Sequence, residues 1–345
     1  MSTRTVFSVR KNHCLVLWMA LTILVSLLAP AVGMAQQSPA TQALQHLTMT
    51  VLFDHNPGKE GLEARNGFSC LIQGLERTIL FDTGGEGVIL LSNMQKLGFD
   101  PHDIDVVMLS HHHSDHVEGL PDVLKVNPNV TVYLLNSFLP GFKDKVKSYG
   151  TDVIEIQDSL KICDHAYSSG ELGEWIKEQA LILQTDKGVI VITGCAHPGI
   201  VSIVQNAKEL LHDDVLLVMG GFHLSSESRT TVEQIVSDFQ QLGVRYVGPC
   251  HCSGDTARQL FKEAYHSNFI PVASAQPSHW RICPEQAFWK KRGIETGTDV
   301  RGFVPVSKMK LREWYLSKNC RRSNSCLFLI PGVSREFIRA YARPA

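Results

Sequence analysis

The sequence predicts an α+β fold in which two β-sheets pack face to face with helices on the outside. Three observations lead there. Short apolar runs rich in Val, Ile and Leu recur between residues 47 and 248. They come first in hairpin-like succession and then alternate with segments of helical period. The whole rhythm occurs in two comparable halves, which suits two layered sheets better than one doubly wound sheet.

In the first half, residues 47–53, 68–73 and 78–81 read as consecutive strands, with turns at Asn56-Pro57-Gly58 and Gly74. Residues 88–97 carry apolar side chains at helical spacing and stop at Gly98, a natural C-cap. A strongly apolar strand at 104–110 follows, then a strand at 130–135, a helix at 137–148 and a strand at 153–156. In the second half, strands at 180–184 and 189–193 flank the turn Asp186-Lys187-Gly188. A helix at 200–211, a strand at 215–219 and a helix at 231–242 come next, the last with one apolar face of Val232, Ile235, Val236, Phe239 and Leu242. A strand at 244–248 and a helix at 255–265, with Asp255 near its N-cap, close the pattern. No GxGxxG follows the first strand, and Phe81-Asp82-Thr83-Gly84-Gly85 is too short to cradle a diphosphate, so a nucleotide-binding fold is disfavoured.

At 345 residues, 44% hydrophobic and 19% charged, the chain has the composition of an ordinary globular protein. Its net charge of -1 argues against a nucleic-acid partner. The charge is unevenly spread: from Ile282 onward there are 13 Lys and Arg against 5 Asp and Glu. The N-terminus carries Arg4, Arg10 and Lys11, then an uncharged apolar stretch at 15–28, then Gly33-Met34-Ala35. That order is expected of a secretory signal cleaved before Gln36. The apolar stretch is shorter than the roughly 18–20 residues that span a bilayer, so no stable membrane anchor is expected after cleavage.

The expected organisation is therefore a cleaved signal at 1–35, a catalytic-type domain at 36–281 and a basic extension at 282–345, in a periplasmic or secreted protein. A chain ending near Ser278 should still fold and bind its metals. Cys70, Cys163, Cys195, Cys250, Cys252, Cys283, Cys320 and Cys326 would remain after cleavage. Their scatter does not resemble a disulfide framework, although Cys320 and Cys326 are close enough to pair; Cys250 and Cys252 are expected as a structural pair rather than a strained CxC disulfide.

The most informative stretch is Ser110-His111-His112-His113-Ser114-Asp115-His116, an HxHxDH pattern directly after the strand at 104–110. His111 and His113 lie two apart in extended backbone, project to the same side and can hold one ion. Asp115 and His116, where the chain turns away, can reach a second. Asp82, His197, His223 and His251 each follow an apolar strand-like run as well. Polar side chains placed at strand ends in this way make a metal site grafted on a sheet.

HxHxDH after a strand, with FDTG before it and spaced histidines after it, resembles the metallo-β-lactamase superfamily and its αββα sandwich. Thr193-Gly194-Cys195-Ala196-His197-Pro198-Gly199, Gly220-Gly221-Phe222-His223-Leu224 and Pro249-Cys250-His251-Cys252-Ser253-Gly254 are similar to its subgroup of dihydropterin-methyl-ribofuranosylaminobenzene-phosphate synthase-like proteins. The resemblance covers residues 47–274. It implies that His111, His113 and His197 hold one metal and that Asp115, His116 and His251 hold another, with Asp82 supporting the histidine loop by hydrogen bonds. The chain departs from the superfamily where a bridging Asp is expected, since neither second-half strand ends in one. Cys195 and His223 are the available substitutes. The alignment of the later motifs favours His223 as the residue that completes the second site or contacts its hydroxide, with Cys195 a buried neighbour.

The expected cofactors are two divalent metal ions, zinc suiting a histidine-rich site best, with iron or manganese as alternatives. A water between two dications loses a proton near neutral pH and becomes a nucleophile, while the ions polarise a carbonyl or phosphoryl oxygen. Asp115 and His223 are the candidates for proton transfer. The leading expectation is an exported binuclear hydrolase of a small-molecule ester, phosphoester or cyclic amide. An iron-dependent oxidoreductase on the same scaffold and a non-catalytic metal-binding envelope protein are the alternatives. Residues 56–65 and 166–175, with Lys59, Glu60, Glu63, Arg65, Tyr167, Glu171 and Trp175, are the loops expected to shape the pocket.

Overall fold

The structure, a computed structural model, describes residues 47–272 apart from Pro57 and Lys59. The signal-like segment 1–35, the ends of the 36–281 domain, the basic segment 282–345 and Cys283, Cys320 and Cys326 lie outside the described residues. Two six-stranded sheets are formed, and in each the strand order follows the chain. The first sheet holds β1 (Thr48–Phe53), β2 (Ser69–Gln73), β3 (Ile79–Phe81), β4 (Val106–Met108), β5 (Thr131–Leu135) and β6 (Asp152–Ile156). The second holds β7 (Leu160–Cys163), β8 (Ala166–Ser168), β9 (Leu181–Thr185), β10 (Gly188–Thr193), β11 (Val215–Gly221) and β12 (Tyr246–Cys250).

Each sheet starts antiparallel and ends parallel: β1 to β3 pair antiparallel and β3 to β6 parallel, while β7 to β10 pair antiparallel and β10 to β12 parallel. The parallel neighbours need crossovers, which helices supply. In the first half these are α1 (Gly87–Leu97), α2 (Ser114–Val117), α3 (Leu120–Val126) and α4 (Pro140–Lys147). In the second half they are α5 (Ile200–Leu211) and α6 (Arg229–Gln241), and α7 (Asp255–Tyr265) follows the last strand. Among the described residues no helix is long and apolar enough to cross a membrane.

The core explains why these strands read as continuous apolar runs. Side chains alternate between faces along a strand, and β9 and β10 are covered on both. Leu181, Leu183, Ile190 and Ile192 join a core shared with the first sheet, whereas Ile182, Val189 and Val191 join a second core beneath α5, α6 and α7. Phe222, Phe239 and Phe261 meet in that second core with ring centroids 5.3–5.8 Å apart. The α+β sandwich expected from the sequence is the one observed.

Several local expectations are corrected. Residues 54–68 separate β1 from β2 as a long connection that Asn93 ties down, its Nδ2 donating to Leu52 O and Glu63 O; Pro57 of the turn expected at 56–58 lies outside the described residues. The helix expected at 137–148 starts only at Pro140, because Leu139 is extended and proline suits a first helical turn. Asp255 is the first residue of α7 and makes no cap; Gly254 holds that position with φ 75°. Residues 160–163 and 166–168 form an edge hairpin rather than pocket loop, and α2 begins inside the ligand motif itself. Gly98 does cap α1, in the left-handed region at φ 80°.

Candidate metal centre

Every residue of the expected site lies in the segment that leaves the C-terminal end of a parallel strand, Asp115 and His116 within α2. Asp82 follows β3, the HxHxDH run follows β4, His197 follows β10, His223 follows β11 and His251 follows β12. Strand ends on one edge place side chains from distant parts of the chain around a common point. The backbone turns sharply as it leaves these strands. Asp82, Ala196, His223 and His251 all have positive φ, at 56°, 65°, 54° and 46°. Non-glycine residues adopt this region at a cost, and such strain gathers at sites where it orients a group.

Gln179 locks the two sheets together beside the site, its backbone N–H donating to Ser110 O at 2.9 Å and its Nε2 to Leu109 O at 2.7 Å. The end of β10 then lies flush on the first sheet. Gly194 permits this, since a Cβ there would collide with Ser110 Oγ and reach within 2.9 Å of Asp82 Oδ2.

Two donor groups form. In one, His111 Nε2 and His113 Nδ1 are 3.1 Å apart, and the His197 ring stands 4.6 and 4.8 Å from theirs. In the other, Asp115 Oδ2 lies 3.6 Å from His116 Nε2 and 3.3 Å from His251 Nε2. Cys195 Sγ faces the same two nitrogens at 3.3 and 3.4 Å. The donor atoms of Cys195, His223 and Cys252 also lie within 4.8 Å of one another. His223 itself is exposed and rests against the His197 ring, centroids 4.4 Å apart. The predicted ligands thus lie around one region, and Cys195, expected only as a buried neighbour, shares a donor group with His111 and His197, with His116 and His251, and with His223 and Cys252.

Buried acceptors behind the histidines decide which nitrogen each presents. Asp82, fully buried, accepts from Ser110 N, Ser110 Oγ and His116 Nδ1, each at 2.7 Å. With the Ser110 proton committed to Asp82, Ser110 Oγ accepts from His111 Nδ1 at 2.9 Å. Both His111 and His116 therefore turn a bare Nε2 toward the site, the arrangement that orients a metal ligand. Burial holds the His111 pKa down at about 2, so the imidazole stays neutral. Burial pushes His116 down too, but the Asp82 charge and hydrogen bond outweigh it and the net direction is up.

Glu178 plays the matching part for the second sheet, and sequence reading missed it. Its Oε1 accepts from Cys195 N and Ala196 N at 2.8 Å each, and its Oε2 from His197 N at 3.0 Å and His197 Nδ1 at 2.9 Å. Burial raises its pKa, yet these hydrogen bonds and the nearby His111 outweigh that and hold it below the usual carboxylate range. The available signal was a lone acidic residue directly before the apolar run of β9. Asp54 was missed as well: its Oδ2 accepts from His251 N at 3.2 Å. The repeated Leu-Phe-Asp at 52–54 and 80–82 marks both carboxylates that end strands of the first sheet at the site. Among these histidines, His251 has a buried Nδ1 without a hydrogen-bond partner, so what its Nε2 meets decides its tautomer.

The donor set fits divalent metal ions. Ring nitrogens of His111 and His113 face one another, as Asp115 Oδ2 and Cys195 Sγ each face those of His116 and His251, and a cation satisfies such convergence. A groove of about 720 Å³ opens beside the histidine loop, with Glu86, His112, Ser114, Glu118, Phe142 and Lys145 on its walls. It is of a size to take a small molecule. All five cysteines among the described residues are free thiols, so no Cys250–Cys252 bridge is present.

Comparisons with known proteins agree with this geometry. A family profile described as the metallo-beta-lactamase superfamily matches residues 62–208. The chain is 30% identical over 238 residues to the uncharacterized protein MJ0448 of Methanocaldococcus jannaschii, covering 60% of this chain and 90% of that one. It is 26% identical over 255 residues to the same organism's 7,8-dihydropterin-6-methyl-4-(beta-D-ribofuranosyl)-aminobenzene-5'-phosphate synthase, covering 60% and 87% respectively. Among solved structures, Tm1679, described as a metal-dependent hydrolase of the beta-lactamase superfamily, matches with a TM-score of 0.58 and 28% identity, over 67% of this chain and 97% of that one.

Proposed function

The chain belongs to the metallo-β-lactamase superfamily, and from that premise we propose that it is a binuclear, zinc-dependent hydrolase of a small-molecule ester, phosphoester or cyclic amide. The observation that carries the reading is the pair of adjacent donor groups, His111, His113 and His197 beside Asp115, His116 and His251. Two divalent ions held there would acidify a water and polarise the oxygen of the bond to be cleaved.

The chain's own residues do the rest. Asp82 and Glu178 keep the imidazoles in one tautomer and one orientation, so little reorganisation is needed when substrate arrives. Asp115 is 22% exposed, open enough on one side to accept a hydrogen bond from a water and to align it for attack. His223, exposed beside His197, is placed to pass a proton to the leaving group, and its hydrogen bond to Cys252 raises its pKa above the ordinary imidazole value. The groove beside the histidine loop supplies walls of mixed charge with Phe142 as an apolar face. The leader-like N-terminal segment supports action outside the cytoplasm, and the near-zero net charge favours a small-molecule substrate over nucleic acid.

A second reading is favoured by one observation. The relative named a synthase is matched along 87% of its length, so group transfer within a pterin-containing phosphate compound is the alternative to hydrolysis. Purified protein with its metals quantified, assayed on phosphodiester, phosphomonoester, carboxylic ester and lactone substrates, separates the two. Hydrolysis is expected with about two zinc ions per chain, the count that two sites require. Full metal loading with no turnover of any class would remove the hydrolase reading and leave transfer.

A further inference from the structure

We propose that the groove beside the histidine loop is a subsite for an aromatic group of the substrate, uncharged or cationic, with His112, Phe142 and Val88 as its apolar walls. The proposal rests on the binuclear reading above and names the class of molecule that such a centre would serve.

His112 is the one histidine of the 111–116 run that the donor groups leave out. Side chains alternate along extended backbone, so with His111 and His113 turned to the donors His112 turns away from them. Its ring meets those of Phe138 and Phe142, centroids 5.1 and 4.7 Å away, and the two phenylalanines are themselves 5.6 Å apart. Phe138 is buried and belongs to the core, whereas His112 and Phe142 are half-buried and face the groove. Rings at these distances and tilted angles hold one another in place, so the two that face the groove present a preformed aromatic surface. The helix behind them is pinned as well: Lys143 Nζ donates to Asn136 O at 3.0 Å and to Glu155 Oε2 at 2.7 Å, which fixes the first turn of α4 on the ends of β5 and β6.

Val88 is the second residue of α1 and is 74% exposed. Nothing in the helix start calls for it. The N-cap Glu86 makes no side-chain cap bond, the first turn carries no acidic residue, and valine is a poor helix former. An exposed valine in the same groove as two half-buried rings is apolar surface suited to a ligand. The charges select the kind of ring. Lys145 is the one basic residue lining the groove, against Glu86, Glu118 and Asp122. An aromatic group carrying its own negative charge is disfavoured there, while a neutral or cationic ring fits both the carboxylates and the aromatic faces.

The groove also begins where the donors begin. Ser114 lines it and immediately precedes Asp115, and Gly85 lines it at a point where a Cβ would lie 3.5 Å from Asp115 Cα. A ring seated in the groove therefore needs no long linker to place the bond to be cleaved at Asp115, His116 and His251. A volume of about 720 Å³ takes a substituted ring and not a polymer.

Isothermal titration calorimetry of the zinc-loaded full chain with methylphosphonate, phenylphosphonate and 4-carboxyphenylphosphonate tests this, the shared phosphonate serving as ligand to the metal ions. Phenylphosphonate is expected to bind about tenfold more tightly than methylphosphonate, a gain of the size that one half-buried ring gives. The 4-carboxy compound should forfeit most of that gain. Val88→Ser, at an exposed position, and Phe142→Ala should each bring the phenyl-to-methyl ratio to within about twofold, with zinc content kept. Equal binding of the phenyl and methyl compounds, a ratio that survives both variants, or tightest binding of the 4-carboxy compound would overturn the proposal and leave the binuclear reading standing. A chain that takes up no zinc would remove the binuclear reading, and saturation-transfer NMR with benzyl alcohol then reads the subsite by itself. A signal abolished by Val88→Ser upholds the subsite, and the absence of any signal overturns it.

Discussion

Glu178 shows how much of this site depends on one side chain that never needs to touch substrate. It accepts four hydrogen bonds within the turn that carries His197, and it is fully buried. Replacing it with Gln puts an NH₂ where two N–H donors now point, so a donor faces donors and the turn must open. The expected outcome for Glu178→Gln is about 10–100-fold weaker binding of the metal held by His111, His113 and His197, the range typical when a ligand's hydrogen-bond partner is lost. Competition titration with a chromophoric chelator measures it, and unchanged affinity at both sites would show that the turn holds without the carboxylate. At this scale the sequence was legible where ligand chemistry is dense. The HxHxDH run and Asp82 announced themselves because each polar residue stands at the end of an apolar run. Glu178 was illegible because a single carboxylate beside an apolar run looks like a solvated loop charge until its buried donors are known, whereas Asp54 carried the same Leu-Phe-Asp signal as Asp82 and was passed over. The competition between Cys195 and His223 was likewise undecidable without distances.

Elements were legible in proportion to how fully they are buried. The strands β9 to β12 and the helices α5 to α7 lie between or upon the two cores, and their apolar periods came through within a few residues. The edge hairpin of β7 and β8 did not, since Leu160 and Lys161 of β7 are exposed and leave no alternation to read. The short helix α2 was hidden for another reason: its four residues were chosen for the site, and ligand identity overrode helix pattern. Helix starts give a clean test. Ser228 caps α6 on an exposed edge, its Oγ accepting from Thr231 N at 3.1 Å. Ser228→Ala is expected to destabilise the fold by about 1 kcal/mol in urea unfolding, with metal content unchanged. A loss of metal alongside that small cost would mean that the position of α6 governs β11 and its His223 more tightly than the packing suggests.

At the scale of the whole molecule, the layers were readable and their assembly was not. Strand-helix rhythm in two halves foretold two sheets, but which strand edges meet depends on contacts such as Gln179 to Ser110 and His251 to Asp54, which no local pattern encodes. Metal donors come from both sheets, so bound ions should act as a clasp between them. Ligands that bind only the folded state stabilise it by about 2.7 kcal/mol per site when free ligand is a hundredfold above its Kd. For a domain of this size each kcal/mol moves Tm by about 2–4 °C. Removing the ions with a strong chelator is therefore expected to lower Tm by at least about 5 °C, reversibly on adding zinc, in a calorimetric scan. An unchanged Tm would mean that the sheets hold together without the ions. Because β1 to β6 and β7 to β12 fill separate sheets, a break between Ile156 and Leu160 severs no strand pair, yet it parts His111, His113, Asp115 and His116 from Cys195, His197 and His251. Two fragments cut there each carry a complete sheet and an incomplete set of donors, so recovery of metal binding on mixing would act as a built-in reporter of fragment complementation.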